Sequence, residues 1–169
     1  MVQKSKIISL YEKVQKIHYQ VCKFEADKID KNLEYGDCRH KSYLLKKLLE
    51  DVGFEVKEVI VIFNWEDIPL PKKILGILKA GTIWEHISLK VKIRGKWIKV
   101  DCTWNPELKE KGFPITENWN GESDTKQVTE GKLEFYDKDK YIKDKQKIKV
   151  VKEEAYKFAD ALNKSLNMH

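Results

Sequence analysis

The chain has 169 residues, 41% hydrophobic and 36% charged, and a net charge of +6 from 33 basic and 27 acidic side chains. That length fits one domain, residues 1–169, around one core, and the composition is that of a folded globular chain. No apolar run is long enough to span a bilayer, the lysines alternate with Glu and Asp instead of forming an arginine-rich or aromatic nucleic-acid patch, and three cysteines without a CxxC pair argue against a disulfide framework.

The first twenty residues lack the continuous apolar region of a signal peptide, so the expected location is the cytoplasm, with neither membrane nor nucleic acid as partner. Ile7, Leu10, Tyr11, Val14, Ile17, Val21 and Phe24 recur at three- and four-residue steps and predict an amphipathic helix over that span. "IDKNLEYGD" breaks the pattern. A second helix carries Leu44, Leu45, Leu48, Leu49 and Val52 on one face, with Asp37 as N-cap, Cys38 as first helical residue and Gly53 at its end.

"FEVKEVIVIF" (54–63) reads as a strand. "NWEDIPLPKKILGILKAGT" reads as an inserted loop with a short helix at "KKILGILK". "WEHISLKVKI" and "KWIKVDCTW" are two strands joined by Arg94-Gly95. Residues 105–129 are polar and read as loop, "GKLEFYDKDKYIKDKQKIKV" holds one short strand, and a last helix covers 150–166 with Val151, Ala155, Phe158, Ala159 and Leu162 inward.

The hairpin allows a register argument. Closing it at Arg94-Gly95 pairs Ile93 with Lys96, Val91 with Ile98, Leu89 with Val100 and Ile87 with Cys102, an apolar face that a one-residue slip would turn outward. The other face is expected to be polar, with Trp84, His86, Ser88, Lys90 and Lys92 beside Trp97, Lys99, Asp101 and Thr103. Asp101 then lies across from Ser88 and diagonal to His86, roughly 7–8 Å between Cβ atoms, within reach of an imidazole–carboxylate hydrogen bond. Cys38 at a helix N-terminus is where unpaired N–H groups and the helix dipole favour a thiolate. A nucleophile needs a base, and the base an orienting group; Cys38, His86 and Asp101 can fill those roles if the helix end docks on the polar face of the hairpin.

"YGDCRHKSYLLKKLLEDVGFEVK" resembles the nucleophile block of the transglutaminase-like superfamily, the papain-like fold of cysteine acyl-transfer enzymes and proteases: Gly-Asp-Cys, a basic residue three on, a small residue, a leucine-rich helix, Gly and a strand. "WEHISLKVKIRGKWIKVDCTWNP" resembles its other two blocks, a His-bearing strand turning through Gly-Lys-Trp into a strand ending Val-Asp-x-Thr. The resemblance spans residues 35–106. It implies an α+β fold with the Cys-bearing helix packed on an antiparallel sheet. It implies Cys38 as nucleophile, His86 as general base and acid, and Asp101 as orienter. It also implies a thioester formed from a protein or peptide amide without a cofactor, with hydrolysis favoured over cross-linking.

Relatives often carry proline where Cys102 stands, and a second oxyanion donor upstream of the cysteine, for which His18, Tyr19 and Gln20 are the candidates. Trp84, Trp97 and Trp104 are expected near the same face as walls and partial core, with Trp84 and Trp104 against the substrate. Cys22 and Cys102 read as core thiols, His40 as a solvent-facing helical residue, and Trp119 as either a cleft residue or a loop anchor. The alternative is a binding module that has lost its chemistry. A zinc site from Cys38, His40, His86 and Cys102 has the right ligand types but poor geometry, so no metal is expected.

Overall fold

These stretches fold as an α+β arrangement in a computed structural model that describes residues 2–141 and 148–167. Helix α1 spans Val2–Gln15, not the longer segment to Phe24 that the periodicity predicts. Its end is taken over by tertiary partners: the Lys41 ammonium binds the carbonyls of Gln15 and Ile17 at 3.0 and 2.7 Å. The chain then extends as β1 (His18–Tyr19), which pairs in parallel with β2 (Tyr35–Gly36). Apolar periodicity at Ile17 and Val21 is thus served by packing of an extended segment.

Helix α2 spans Cys38–Glu50 with Asp37 as its N-cap, as expected. Strand β3 (Val56–Asn64) follows, then the short helix α3 (Lys72–Leu75) inside the inserted loop. The hairpin is β4 (Ile83–Ile93) and β5 (Lys96–Val100). Arg94 and Gly95 both have positive φ, 47° and 82°, the two-residue turn whose twist matches the flanking strands and which glycine favours at its second position. A 3-10 turn at Pro106–Lys111 interrupts the loop after β5. Strand β6 (Glu134–Asp137) and helix α4 (Lys152–Asn167) complete the described elements; positions 142–147 of the stretch expected to hold β6 lie outside the described residues.

The four-stranded sheet has the order β5-β4-β3-β6, antiparallel throughout. The hairpin register is the expected one from Ile93↔Lys96 to Leu89↔Val100. It stops there: the expected Ser88–Asp101 and Ile87–Cys102 pairs are absent from the ladder because the chain leaves β4 after Val100. The outer edge of β5 is closed by its own chain. Lys99 N–H donates to Asp124 Oδ1 at 2.8 Å, the Lys99 carbonyl accepts from Thr125 N–H at 3.0 Å, and Asp101 N–H donates to Thr125 Oγ1 at 2.8 Å.

One sheet face, with Leu89, Val91, Ile98 and Val100, packs on α1 and α2 through Ile7, Tyr11, Val14, Leu44, Leu45 and Leu49, and Cys102 joins this core. The other face is not the open polar surface expected. Val59, Val61 and Phe63 of β3, beside His86 and Ser88 in register, are covered by Trp104, Leu108, Phe113, Val128 and α4. His86 and Ser88 are therefore buried. Helix α4 docks through Phe158, Leu162 and Leu166, while Val151, expected inward, is 47% exposed. Trp119 belongs to the α1–α2 core, stacked on Tyr11 with ring centroids 4.8 Å apart, and anchors its loop by donating Nε1–H to the Ser123 carbonyl. No described helix is long and apolar enough to cross a membrane.

Candidate active site

The start of α2 is held by short-range chemistry. Asp37 accepts from the Arg39 N–H at 3.0 Å and from the Cys22 N–H at 3.1 Å, while the Arg39 guanidinium grips both its carboxylate oxygens at 3.0 and 2.6 Å. Burial opposes that charge, but the neighbouring His40 and Arg39 side chains outweigh it and hold the Asp37 carboxyl well below the usual range. His40 is not solvent-facing as expected; it is fully buried. Its Nδ1 accepts the Asp37 N–H at 3.2 Å, so Nε2 carries the proton and donates to the Phe24 carbonyl at 2.8 Å. This is a capping box in which histidine takes the place of Glu or Gln. Gly36 makes it possible: a Cβ there would lie 2.8 Å from the His40 Cβ.

His86 and Asp101 meet as the hairpin argument expects, although Asp101 lies just past the ladder. His86 Nε2–H donates to Asp101 Oδ2 at 2.8 Å. The second carboxylate oxygen accepts the Thr103 N–H at 2.9 Å, and the Thr103 hydroxyl lies 3.4 Å from Nε2. The Asp101 backbone is pinned on both sides, its N–H by Thr125 and its carbonyl by the Tyr11 hydroxyl at 3.1 Å. Burial works against the imidazolium of His86. The Asp101 charge, then the Cys38 sulfur, with the hydrogen bond to Asp101, outweigh it and push the His86 pKa up from 6.5 to about 10. Burial likewise disfavours the Asp101 carboxylate, and the His86 charge and the Thr103 hydrogen bonds override it, so its pKa is lowered.

With Nε2 committed to Asp101, Nδ1 is the nitrogen left for Cys38, which lines the same cleft as His86. Helix α2 meets β4 beyond the last rung of the hairpin ladder. In the hairpin alternation, odd residues of β4 point their carbonyls toward β5. Since β5 ends at Val100, the Ile87 carbonyl has no strand partner there, and the Ser42 hydroxyl of α2 donates to it at 3.0 Å.

Cys38, half-buried, and His86 open into a cleft of about 510 Å³. Trp84 and Trp104 line it as expected, Trp104 tilted against Tyr19 with ring centroids 4.5 Å apart and Trp84 edge-on to Trp65 at 5.9 Å, while Trp97, also expected near this face, is not among its lining residues. Of the three upstream candidates for a second oxyanion donor, none lies in the first helix as the sequence reading had it. His18 is hydrogen-bonded to Asn167, and the Gln20 N–H pairs with Gly36. Only Tyr19 lines the cleft. Its hydroxyl is pushed up in pKa by burial and then by the neighbouring Cys38 sulfur.

Burial, then the Asp37 charge, pushes the Cys22 thiol up to about 11 despite Arg39, and burial above all pushes Cys102 up to about 12. Iodoacetamide on the native protein at pH 7.5, mapped by mass spectrometry, is therefore expected to label Cys38 at least tenfold faster than Cys22 or Cys102. His86→Ala is expected to remove most of that advantage, and equal labelling of the three would contradict the pairing.

Lys41 is the residue whose role sequence reasoning missed, beyond noting a basic residue three positions after Cys38. It is fully buried, and its ammonium donates to the carbonyls of Gln15, Ile17 and Thr103 at 3.0, 2.7 and 2.8 Å. Burial lowers its pKa to about 8, against the raising influence of Cys102, Asp101 and Glu107. It ties the helix that carries Cys38 to the segment that carries Asp101. The zinc reading finds no convergent ligands: His40 is occupied in the cap, Cys102 lies in the α1–α2 core, and no cluster of three or more metal-binding side chains occurs among the described residues.

Comparison of the chain with protein-family models, with curated proteins and with solved structures finds no match.

Proposed function

We propose that the chain is a cysteine hydrolase of transglutaminase-like fold, cleaving amide bonds of protein or peptide substrates through a thioester. The observation that supports this best is the His86–Asp101 hydrogen bond of 2.8 Å in one cleft with Cys38, which stands at a helix N-terminus and raises the His86 pKa. In this reading His86 takes the Cys38 proton, and the thiolate attacks the substrate carbonyl. The C=O electron pair moves to oxygen, where the Cys38 backbone N–H and the Tyr19 hydroxyl donate to it. Collapse breaks the C–N bond, the His86 imidazolium protonates the leaving amine, and the acyl group stays on sulfur. Water, deprotonated by His86, attacks the thioester and releases the acid and the thiol.

Turnover of 4-nitrophenyl esters tests this, with a burst of nitrophenolate equal to the enzyme concentration and an acyl adduct on Cys38 by mass spectrometry. An added primary amine distinguishes transfer from hydrolysis by its incorporation into product. Absence of any Cys38-dependent burst would favour the binding-module reading.

The pH profile carries a further expectation. The reaction needs the imidazolium, whose pKa is raised by Asp101, so activity on amides persists into alkaline solution and falls as pH rises through about 10. Asp101→Asn removes the largest raising influence. It is expected to move that limb to lower pH and to cut kcat/KM by about 10²–10⁴-fold. An unmoved limb would assign it to another group.

A further inference from the structure

We propose that the cleft beside Cys38 is a pocket for a bulky apolar group carried next to the scissile carbonyl, an assignment that rests on the hydrolase reading for its link to chemistry. The inner wall is aromatic: Phe63, Trp65, Trp104 and Phe158 are each no more than 5% exposed, and Trp84 lies edge-on to both Trp65 and Phe158. Charged side chains stand at the mouth, where Lys23, Arg39 and Asp160 are exposed. A cleft of about 510 Å³ lies within the range that encloses a ligand of several residues' size, well beyond what a small amide fills.

Helix α4 explains why the space is open. Its Phe158, Leu162 and Leu166 fill the core, while Ala155 and Ala159, one turn apart, are the small residues it presents to the cleft. Among the described residues the indole N–H groups of Trp65 and Trp84 have no oxygen or nitrogen partner, and both atoms are sealed from solvent. With those atoms sealed away, the wall presents ring faces and edges to the cleft, which suits an aromatic or branched aliphatic group.

Binding and turnover are read separately. Cys38→Ser protein is titrated with 3-phenylpropionamide and with acetamide, following tryptophan fluorescence. The phenyl compound is expected to bind about tenfold to a hundredfold more tightly, as burial of one aromatic side chain allows. Ala159→Trp, or Ala155→Trp should the first fail to fold, fills the cleft and is expected to remove that preference. Wild-type protein is then given the 4-nitrophenyl esters of the same two acids, with kcat/KM expected to favour the phenyl ester by the same factor. Equal affinity for the two amides, or an undiminished preference in both tryptophan variants, would overturn the pocket. Selective binding without any Cys38-dependent ester turnover would uphold the pocket and overturn the hydrolase reading instead.

Discussion

Cys38→Ala is expected to lower ester and amide turnover by about 10⁴-fold or more while leaving the fold intact. Cys38 belongs to neither hydrophobic core and is half-buried, so truncation costs little packing; a change of roughly 0.5 kcal/mol or less in unfolding free energy is expected. The Asp37 cap, the His40 hydrogen bonds and the Ser42 contact do not involve the thiol and persist. What is lost is the only protein atom in the proposed mechanism that bonds to substrate carbon. Cys22→Ser is the control: Cys22 also lines the cleft, and it should retain activity. Circular dichroism and thermal melting beside the ester assay separate the two effects. Retention of turnover in the alanine variant would remove the proposed reaction altogether.

Lys41→Met has the largest expected effect on stability. Its ammonium satisfies three carbonyls from two separate segments, the end of α1 and the stretch after β5, and methionine fills a similar length without donating to any of them. Each orphaned carbonyl costs about 1–3 kcal/mol, offset by relief from burying a charge. A net loss of about 3 kcal/mol is expected, lowering Tm by roughly 6–12 °C for a chain of this size. The native pKa lies near 8 against the ordinary 10.5. The unfolded chain therefore binds more protons between those values, and the contribution of Lys41 to stability rises with pH over that window. Methionine abolishes that component. Activity should fall with stability, since the Thr103 carbonyl held by Lys41 lies two residues from Asp101. An unchanged Tm would show that the three carbonyls find other partners.

The parts of the fold that could be read in advance are those decided locally. The β4–β5 register follows from a two-residue turn and a period-two pattern, and it brings Asp101, just past its last rung, near His86. The start of α2 follows from an Asp cap beside Cys38. The rest was decided by residues far apart in the chain. Periodicity alone carries the first helix to Phe24, but a lysine on α2 claims the carbonyls at its end. His40 sits on what reads as a charged helical turn, yet Gly36 lets it fold back onto its own cap. Nothing in a single strand pattern tells that α4 and the loop after β5 cover the second sheet face, so the polar face that a hairpin would show to water became the buried wall of a cleft.

The sealing of the β5 edge bears on how the molecule behaves in a crowded solution. An unpaired strand edge is a template onto which another chain can hydrogen-bond, the common first step of edge-to-edge aggregation. Here Asp124 and Thr125 occupy the outward N–H and C=O of Lys99 and the N–H of Asp101, so an incoming strand finds those groups already taken. At the opposite edge β6 is only four residues long and includes two acidic residues, Glu134 and Asp137. The same short segment that fixes the backbone of Asp101 therefore also keeps one copy of the sheet from growing into the next.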